Sequence, residues 1–562
     1  MQNRETEAAW AYHDGTKHSY QSIRTNPHYL DWENQPIPFK IYSKLDSIPL
    51  RRHLSSSGMP ALNAIAAITA PCEEFVAPTS QTLAEILFLS AGVTRRRSYP
   101  GGEMLFRAAA CTGALYHIDL YLACGDLDPS VRAPALAVSS YSGFRPAEAL
   151  AGATGLPGGL HDLEAGVYHF SPHDFALRRL RQGDYRAVLV RASGREPSIV
   201  KAPAILVCVS TFWRNAWKYQ ARAYRHCYWD NGTILANLLA AASARQLPAK
   251  VVVDFVDAAV SELLGLDTKR EAPLSLVALG RESPGMVGLP PSIEPLELET
   301  VPLSKSEIDY PAMRAMHEAS SLENEEEVAV WRGEAPRNGP STKLRAGGRR
   351  KDEGAKEARL FSLQPLGEGE IPQDKIEEVV IRRGSTRQFA RESITFAQLS
   401  TMLDSATRGI PADFLDSAEE SLNDVYLIVH AVDDLPPGAY YFRRDQGALQ
   451  LLKEGLFRRE AGNLGLGQEI PADCSVNVYL LADLHRALER FGNRGYRAAQ
   501  LEAGILGGKL YLAAYAQRLG ASGLTFFDDD VTEFFSPHAA GKSVMFLLAL
   551  GKSVKKRGLN VI

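Results

Sequence analysis

A long internal repeat constrains this chain of 562 residues more than any other feature. The segment DLEAGVYHFSPHDFALRRLRQGDYR, residues 162–186, aligns without a gap with DLPPGAYYFRRDQGALQLLKEGLFR, residues 434–458. The same spacing aligns further residues: Tyr224-Arg225 with Tyr496-Arg497, Gly232 with Gly504, and Asp257 with Asp529. A period this long excludes an array of small repeats. The sequence therefore predicts two copies of one domain, and a duplicated domain in one chain often replaces a symmetric dimer.

The composition is ordinary for a globular protein and sets the broad class. Apolar residues make up 45% of the chain and charged residues 23%, with a net charge of −4. The chain thus has no excess of basic residues that would predict nucleic-acid binding. The six cysteines form no CxxC pair, and no spacing of His, Cys and carboxylates predicts a metal site. The polar start is not a signal peptide, and no long apolar run predicts a membrane span. We expect a cytoplasmic protein with no membrane partner.

The order of elements predicts an α+β fold in each copy. In copy one, residues 82–91 are expected to form a short amphipathic helix with Thr82 as its N-cap. Strands are expected at residues 117–123, 166–170, 187–192, 202–210 and 273–280. A long helix that starts near Trp229 is expected between the last two of these strands. The predicted divisions are an arm at 1–50, copy one at 51–280, a partly disordered linker at 281–360 and copy two at 361–562.

A basic segment at the end of a charged helical run is the first candidate site. It reads IRRGSTRQF and places Arg382, Arg383, Ser385 and Arg387 within six residues. Arginine presents a planar fork of permanently charged donors that matches phosphate or an electron-rich ring edge. A solvated helix end, where arginine favours the helix dipole, explains the same pattern. The segment alone does not decide between an anion site and an ordinary surface.

Each copy lacks a feature that the other one retains. Aligning residues 82–95 with residues 395–408 sets the arginine segment opposite TAPCEE, residues 69–74, which contain no arginine. Conversely, the small-residue loop CTGALY, residues 111–116, faces the acidic stretch DSAEES, residues 416–421. If one site needs both features, this chain forms one complete site where a homodimer would form two.

Four segments in this order resemble the nitroreductase-like flavoproteins, and within them the SagB-type dehydrogenases, which include azoline oxidases. The segment RRGSTRQF resembles the family's Arg-x-Ser-x-Arg-x-Phe signature, and ACTGALYHIDLY resembles its Pro-Ser-Gly/Ala-Gly-Ala-Leu loop. The segment WKYQARAYRHCYWDNGTILANLLAAA resembles the family's Lys-Tyr and long-helix region, and the arm YHDGTKHSY resembles its amino-terminal stretch. The resemblance covers residues 10–280 and 360–557.

The resemblance implies a mixed, mostly antiparallel sheet flanked by helices in each domain, and an intrachain pseudo-dimer that binds one FMN between its domains. The residues implied to bind FMN are Arg382, Arg383, Ser385 and Arg387 from copy two, and Thr112, Gly113, Ala114 and Leu115 from copy one. The basic tail is implied as a further phosphate partner through Lys552 and Arg557, with a frayed tail as the equal alternative.

The pair Lys218-Tyr219 is the sharpest catalytic candidate. The repeat aligns it with Arg490-Phe491, so the phenol occurs at this position in copy one alone. In azoline oxidases, a Lys-Tyr pair of this kind is implicated in removing a proton as hydride passes to flavin. Such a base needs a lowered pKa, and a surface lysine beside a core tyrosine is the structural alternative.

The sequence also departs from the family and leaves rival functions open. Cys111 replaces the family's serine and His117 its proline, and a thiol is a weaker hydrogen-bond partner than a hydroxyl.

The expected function is an FMN-dependent dehydrogenase of a small molecule or modified peptide, such as a peptidyl thiazoline or oxazoline, with a cyclodehydratase complex as a candidate partner. The alternatives are a nicotinamide-driven reductase of nitro compounds or quinones, and a flavin-free docking subunit of a peptide-modifying complex.

Overall fold

The computed structural model contains one large sheet in each copy. It describes residues 2–25, 27–67, 75–99, 102–127, 163–281, 288, 290–333, 359–417 and 419–554. The strands of copy one are β1 (Ile48–Pro49), β2 (Val93–Tyr99), β3 (Gly102–Arg107), β4 (Ile118–Cys124), β5 (Gly166–Ser171), β6 (Ala176–Gln182), β7 (Ala204–Thr211), β8 (Ala249–Val252) and β9 (Glu271–Leu279). Those of copy two are β10 (Leu360–Ser362), β11 (Asn423–Val429), β12 (Gly438–Arg443), β13 (Ala448–Glu454), β14 (Val476–Ala482), β15 (Gly520–Leu524) and β16 (Ser543–Gly551).

The two seven-stranded sheets share one topology. Their strand orders are β1-β6-β5-β4-β7-β9-β8 and β10-β13-β12-β11-β14-β16-β15, while β2 and β3 form a separate hairpin. Every pairing between these named strands is antiparallel. The prediction of two like α+β domains is therefore confirmed, and the sheets are antiparallel throughout their named strands rather than mixed.

Helices cover both sheets and fill the space between them. Those of the arm and copy one are α1 (Glu7–Gly15), α2 (Tyr20–Thr25), α3 (Ala61–Ala66), α4 (Ser80–Ala91), α5 (Arg186–Ala192), α6 (Pro197–Lys201), α7 (Phe212–Tyr219), α8 (Ala223–Ala244) and α9 (Asp257–Leu264). Two helices follow in the expected linker, α10 (Pro311–Ala319) and α11 (Glu325–Trp331). Those of copy two are α12 (Ile376–Arg382), α13 (Phe396–Thr407), α14 (Arg458–Leu464), α15 (Glu469–Asp473), α16 (Leu484–Phe491), α17 (Arg494–Ala516) and α18 (Asp528–Phe535).

One predicted strand is wrong, because residues 187–192 lie in helix α5. A short apolar run does not by itself distinguish a strand from a buried helix. Here four of the residues, Ala187 to Val190, are buried, while Arg191 points outward and donates to Glu325 at 2.6 Å. The strands predicted at β4, β5, β7 and β9 are present, and each of the four is buried along its whole length.

The alignment of helices α4 and α13 also needs correction. The N-cap of α4 is Thr79 rather than the predicted Thr82, and its hydroxyl accepts from the Thr82 backbone N–H at 3.1 Å. Thr395 caps α13 in the same way through the Gln398 N–H. These caps pair Thr79 with Thr395 and shift the helix alignment by almost one turn. The arginine segment still faces sequence that contains no arginine, so the predicted asymmetry survives the shift.

The two long helices, α8 and α17, cross in close contact at the centre of the molecule. A Cβ on Gly232 would lie 2.5 Å from backbone atoms of Gly504, and a Cβ on Gly504 would lie 2.7 Å from the Trp229 carbonyl oxygen. A backbone approach this close requires the absence of a side chain on both helices. The glycines aligned by the repeat therefore mark the axis about which the copies pair.

Reciprocal buried ion pairs join the two copies. Arg222 and Arg225 of copy one bind Asp528 of copy two, at 2.9 and 2.6 Å. Arg494 and Arg497 of copy two bind Asp257 of copy one, at 2.6 and 2.7 Å. The ungapped repeat predicts Asp529 as the residue equivalent to Asp257, but the ion pairs show that the equivalent residue is Asp528. Each copy contributes the same half of the contact, which is the pattern of a symmetric dimer.

The arm and part of the expected linker pack on the body of the protein. The backbone N–H of Ala9 donates to the Asn493 side chain of copy two at 3.1 Å. Trp331 of α11 donates to the Phe491 carbonyl at 3.0 Å, and Met313 and Met316 of α10 are buried. Residues 290–333 therefore form a packed strap between the copies rather than a free spacer. Among the described helices, none is both long and apolar enough to cross a membrane.

Candidate functional site

The small-residue loop of copy one has an unusual backbone that a buried carboxylate holds in place. Residues Thr112–Ala114 form one 3-10 turn, in which Gly113 has φ of +66° and Ala114 has φ of +56°. Asp230 of α8 accepts from the Thr112 backbone N–H at 2.9 Å and from the Thr112 hydroxyl at 2.8 Å. It also accepts from the Cys111 thiol at 3.1 Å, and burial together with this carboxylate raises the pKa of that thiol.

Three side chains that could bind a metal ion meet at this loop, those of Cys111, His117 and Asp230, and their ligand atoms lie within 4.8 Å of one another. Their spacing in the sequence does not predict this cluster. His117 Nε2 lies 2.9 Å from Asp230, and its Nδ1 lies 2.9 Å from the Ser210 hydroxyl. Both carboxylate oxygens of Asp230 therefore already accept hydrogen bonds from the loop and from His117. We interpret the group as a clamp that fixes the loop.

The second copy supports this interpretation of the clamp. The repeat aligns Asp230 with Glu502, and Glu502 accepts from the backbone N–H groups of Leu422 and Asn423, at 2.9 and 2.8 Å. It also accepts from the Ser421 hydroxyl at 2.6 Å. A carboxylate on the long helix thus anchors the loop before the same strand in both copies. The clamp is part of the fold, and the chemistry that differs between the copies lies elsewhere.

Tyr219 ends α7 directly against the loop. A Cβ on Gly113 would lie 2.8 Å from the Tyr219 hydroxyl oxygen, so this contact and the positive φ both demand glycine. Burial, and then the charges of Asp230 and Cys111, raise the pKa of Tyr219, while Arg387 of copy two acts in the opposite direction. The phenol therefore keeps its proton at neutral pH, and Tyr219 is suited to donate a hydrogen bond rather than to act as the base that the sequence suggests.

Lys218, the other half of the predicted pair, differs from its counterpart in its surroundings. Its Nζ lies 5.4 Å from the centre of the Tyr219 ring, and no carboxylate among the described residues binds it. In copy two, the aligned Arg490 binds Asp416 at 2.7 Å and also binds Glu420. These acids lie in the stretch opposite the copy-one loop. The position is open in copy one and closed by ion pairs in copy two.

The arginine segment of copy two reaches across the interface to the residues that come just before this loop. Arg383 is buried and donates to the backbone carbonyls of Arg107 and Ala108 in copy one, at 2.9 and 3.1 Å. Arg382 instead binds Asp374 at 2.6 Å and the Tyr515 carbonyl at 2.9 Å. The predicted pair of arginines is thus already engaged, with Arg383 in docking the copies and Arg382 within copy two.

Ser385 and Arg387 remain available. Both are exposed, and the Ser385 hydroxyl lies 3.3 Å from the Tyr511 hydroxyl. The Arg387 guanidinium makes no hydrogen bond or ion pair with a described residue, and its charge acts on Tyr219. Lys552 binds Glu392 at 3.5 Å, and Arg557 lies outside the described residues. The structure therefore brings Arg383, Arg387, Tyr219 and the loop together, while Lys552 pairs elsewhere.

Two buried polar residues at this site escaped the sequence prediction. Asn215 donates through Nδ2 to the Thr112 carbonyl at 3.4 Å, and its Oδ1 lies 2.7 Å from His226 Nδ1. His226 packs edge-on against the Tyr219 ring, with centroids 4.6 Å apart. Burial and the Arg222 charge lower the pKa of His226, which favours the neutral ring. The repeat aligns Asn215 with Ala487 and His226 with Ala498. This change from a polar to an apolar residue is the sequence signal from which the two site residues could be predicted.

The fold and the site together define a duplicated α+β protein with one asymmetric site between its copies. A family model described as "Nitroreductase family" matches residues 170–281 and 380–552, just over half of the chain. A Methanocaldococcus jannaschii protein described as a nitroreductase, MJ1384, is 25% identical over 170 residues, which are 29% of this chain and 85% of that protein. The chain belongs to the nitroreductase family, and is an oxidoreductase of that family with two of its domains in tandem.

Solved structures extend the similarity to the whole chain. A crystal structure of an Anabaena variabilis protein described as a nitroreductase covers 97% of this chain and 99% of its own, at 24% identity and a TM-score of 0.70. This likeness shows that the tandem fold is shared along the full length. A chain of the Escherichia coli microcin synthetase McbBCD complex, solved with truncated pro-MccB17 bound, covers 49% of this chain and 94% of its own at 18% identity, with a TM-score of 0.28.

Proposed function

We propose that this protein is an FMN-dependent oxidoreductase with one flavin site, at the seam between its copies. The observation that carries the proposal is the asymmetry of the two equivalent positions. At one of them, the exposed Arg387 of copy two lies close enough for its charge to act on Tyr219, whose hydroxyl contacts the glycine loop of copy one. At the other, Asp416 and Glu420 bind Arg490, the residue aligned with Lys218. We infer a single site from this difference.

The residues at the seam suit the two ends of a flavin mononucleotide. Arg387 and Ser385 offer a free guanidinium and a hydroxyl to the phosphate, and Arg383 holds the arginine segment against copy one. Thr112, Gly113, Ala114 and Leu115 offer a backbone without bulky side chains to the ring. Lys552 and Arg557 stay as candidate phosphate ligands of the tail. FMN, when bound, supplies an acceptor or donor of hydride.

The residues of copy one account for proton handling. Tyr219 holds its proton, so it orients a substrate by donating a hydrogen bond from its hydroxyl. Lys218, which no described carboxylate binds, is our proposed acceptor of the substrate proton. His226 and Asn215 position the Tyr219 ring and the Thr112 carbonyl relative to each other. In oxidation of a thiazoline or oxazoline, one ring carbon would give up hydride to the flavin that the site would hold, the neighbouring carbon would give up the proton that Lys218 takes, and a double bond would form between the two carbons.

We propose a SagB-type substrate, a thiazoline or oxazoline in a modified peptide, because Lys218-Tyr219 and the arginine segment resemble those of azoline oxidases. A cyclodehydratase complex is the partner that such a substrate implies. The runner-up is a nicotinamide-driven reductase of nitro compounds or quinones, which the name of the M. jannaschii relative favours. Incubation of the flavin-loaded chain with a thiazoline-containing peptide and, separately, with NADPH and a nitroaromatic compound distinguishes them by which of the two products forms.

Flavin binding by an Arg387→Ala variant tests the proposed site. We expect the wild-type chain to turn yellow with FMN and to retain it through gel filtration. Arg387→Ala should bind FMN at least about tenfold more weakly, because a charge-assisted contact to phosphate is lost. Arg459→Ala removes an exposed arginine with 87% of its side chain accessible and serves as the matched control. A colourless wild-type chain under excess FMN would instead support a flavin-free docking subunit.

A further inference from the structure

The hairpin of β2 and β3 brings a second source of positive charge to the seam. It carries Arg95, Arg96 and Arg97 in succession, all exposed, on a strand that pairs Arg95 with Phe106. Among the described residues of copy two, α13 leads to β11 without such a hairpin. The hairpin is therefore a further difference between the copies, on the side of the molecule where the site is open.

Arg95 reaches from this hairpin to the arginine segment of copy two. Its guanidinium lies over the Phe106 ring, 4.9 Å from the ring centre, which limits its conformations. A Cβ built on Gly384 would lie 3.4 Å from Arg95 Nη2 and 3.8 Å from Nη1. Gly384 stands between Arg383 and Ser385, so the hairpin places a third guanidinium beside the segment that holds Arg383 and Arg387.

Arg95 and Arg383 are neighbouring cations, and no carboxylate in the described part of the chain binds either of them. Burial, several tyrosines and the charge of Arg95 all act on Arg383, and the net effect is a lowered pKa. Arg383 donates to two backbone carbonyls, and Arg95 forms no ion pair with a described residue. By contrast, Arg96 next in the chain binds Glu103 at 3.0 Å, and Arg382 binds Asp374. Like charges held close without a counter-charge are unfavourable, and a bound anion would relieve the repulsion.

We propose that Arg95 is a phosphate ligand, so that the phosphate of FMN is held from both copies, by Arg95 of copy one and by Ser385 and Arg387 of copy two. This inference rests on the proposed function. It adds a residue outside the arginine signature, on an element that copy two lacks among its described residues. Phosphate binding would also tie the hairpin to copy two, and FMN would thereby stabilise the contact between the domains.

Comparison of FMN with riboflavin tests the inference, because riboflavin lacks only the phosphate. The full-length chain is freed of flavin and titrated with each flavin, with quenching of flavin fluorescence as the readout. We expect Arg95→Ala to weaken FMN binding by at least about tenfold and to leave riboflavin binding unchanged. Arg97→Ala, two residues away on the same strand, should change neither. Arg95→Lys should recover part of the FMN affinity, since it restores the charge without the fork.

The outcomes separate this inference from the function on which it rests. A wild-type chain that binds neither flavin overturns the proposed function and the inference together. A wild-type chain that binds FMN, with an Arg95→Ala variant that binds FMN equally well, overturns the inference alone. Equal weakening of FMN and riboflavin also overturns it, because Arg95 would then support the fold or the ring rather than the phosphate.

Discussion

At the residue scale, the two copies serve as controls for each other. Residues that build the fold appear in both, as Asp230 and Glu502 do in anchoring the loops. Residues of the site appear in copy one alone, where Asn215, Tyr219 and His226 stand opposite Ala487, Phe491 and Ala498. A polar group that costs free energy to bury and is replaced by an apolar group in the other copy therefore indicates function.

Tyr219→Phe tests the role of the phenol, because it removes only the hydroxyl. We expect FMN affinity to be unchanged and kcat to fall by about 10²-fold with the thiazoline-containing peptide or the nitroaromatic probe. Tyr29→Phe, at a tyrosine that is 85% exposed, is the matched control. The pH profile adds a second readout. Since burial raises the pKa of Tyr219, the wild-type rate should show no increase near pH 10 that would mark phenol deprotonation. Unchanged turnover in Tyr219→Phe would remove the phenol from the mechanism.

The arginine segment and the glycine loop can be proposed as a site from the sequence because both have distinctive compositions. Arg95, Asn215 and His226 are not among the predicted residues, since they reach the site only through the folding of the hairpin and of α7 against α8. The predicted flavin ligands include Arg382 and Arg383, whereas Asp374 and two backbone carbonyls bind them. A basic segment in sequence does not reveal which of its cations are already neutralised.

At the element scale, the crossing of α8 and α17 fixes how the copies meet. Each helix is buried along nearly its whole length. The long run of apolar and small residues therefore predicts that a helix is present, but it does not mark the residues at which the helix begins and ends. The prediction failed for α5 and for the register of α4, where short apolar segments allow more than one interpretation. Glycines in a long buried helix are unfavourable for helix formation, so their presence at the crossing indicates a packing requirement.

Gly232→Ala tests that requirement. The added Cβ would lie 2.5 Å from the Gly504 backbone, which has no flexible side chain to yield. We expect the free energy of unfolding to fall by about 1–3 kcal/mol or more, measured by denaturant titration, together with weaker FMN retention as the seam opens. Gly369→Ala is the control, since no atom lies within 4 Å of its added Cβ. An unchanged unfolding midpoint in Gly232→Ala would contradict the packing of these helices.

At the scale of the whole molecule, the chain is a pseudo-dimer that keeps its symmetric contacts, while the residues at its two equivalent positions differ. The reciprocal ion pairs of Asp257 and Asp528 are retained on both sides. The repeat made this arrangement predictable from sequence. The packing of residues 290–333 was not predictable, because a polar, proline-rich segment resembles a linker until the surface on which Met313, Met316 and Trp331 pack is known.

A pair of buried carboxyls makes the stability of the interface depend on pH. Asp413 of copy two accepts from the backbone N–H groups of Val253 and Asp254, at 2.7 and 2.9 Å, and its carboxyl lies within hydrogen-bonding reach of the Asp254 carboxyl. Burial and then the neighbouring carboxyl raise the pKa of Asp254, and burial raises the pKa of Asp413. Arg332 binds Asp254 at 2.5 Å, while Glu196, itself bound to Lys250, adds negative charge.

Asp413→Asn should therefore stabilise the protein at high pH. A carboxyl with a raised pKa in the folded state binds its proton more tightly there, so its contribution to stability is full below the unfolded pKa of about 4 and is lost as pH rises through the folded pKa. The amide keeps the acceptor for Val253 and can donate to Asp254. We expect melting curves to show a gain of about 1–2 kcal/mol near pH 8 and little change near pH 4. An equal change at both pH values would contradict a raised pKa of Asp413 in the folded protein.

The ratio of bound FMN to protein chain tests the central claim most directly. The full-length chain is loaded with excess FMN, freed of unbound flavin, and its flavin and protein contents are measured separately. The asymmetry between the open position at Lys218 and the ion-paired position at Arg490 predicts one FMN per chain. Two FMN per chain would show that the acidic stretch of copy two does not close the second position, and none would show that the seam is not a flavin site.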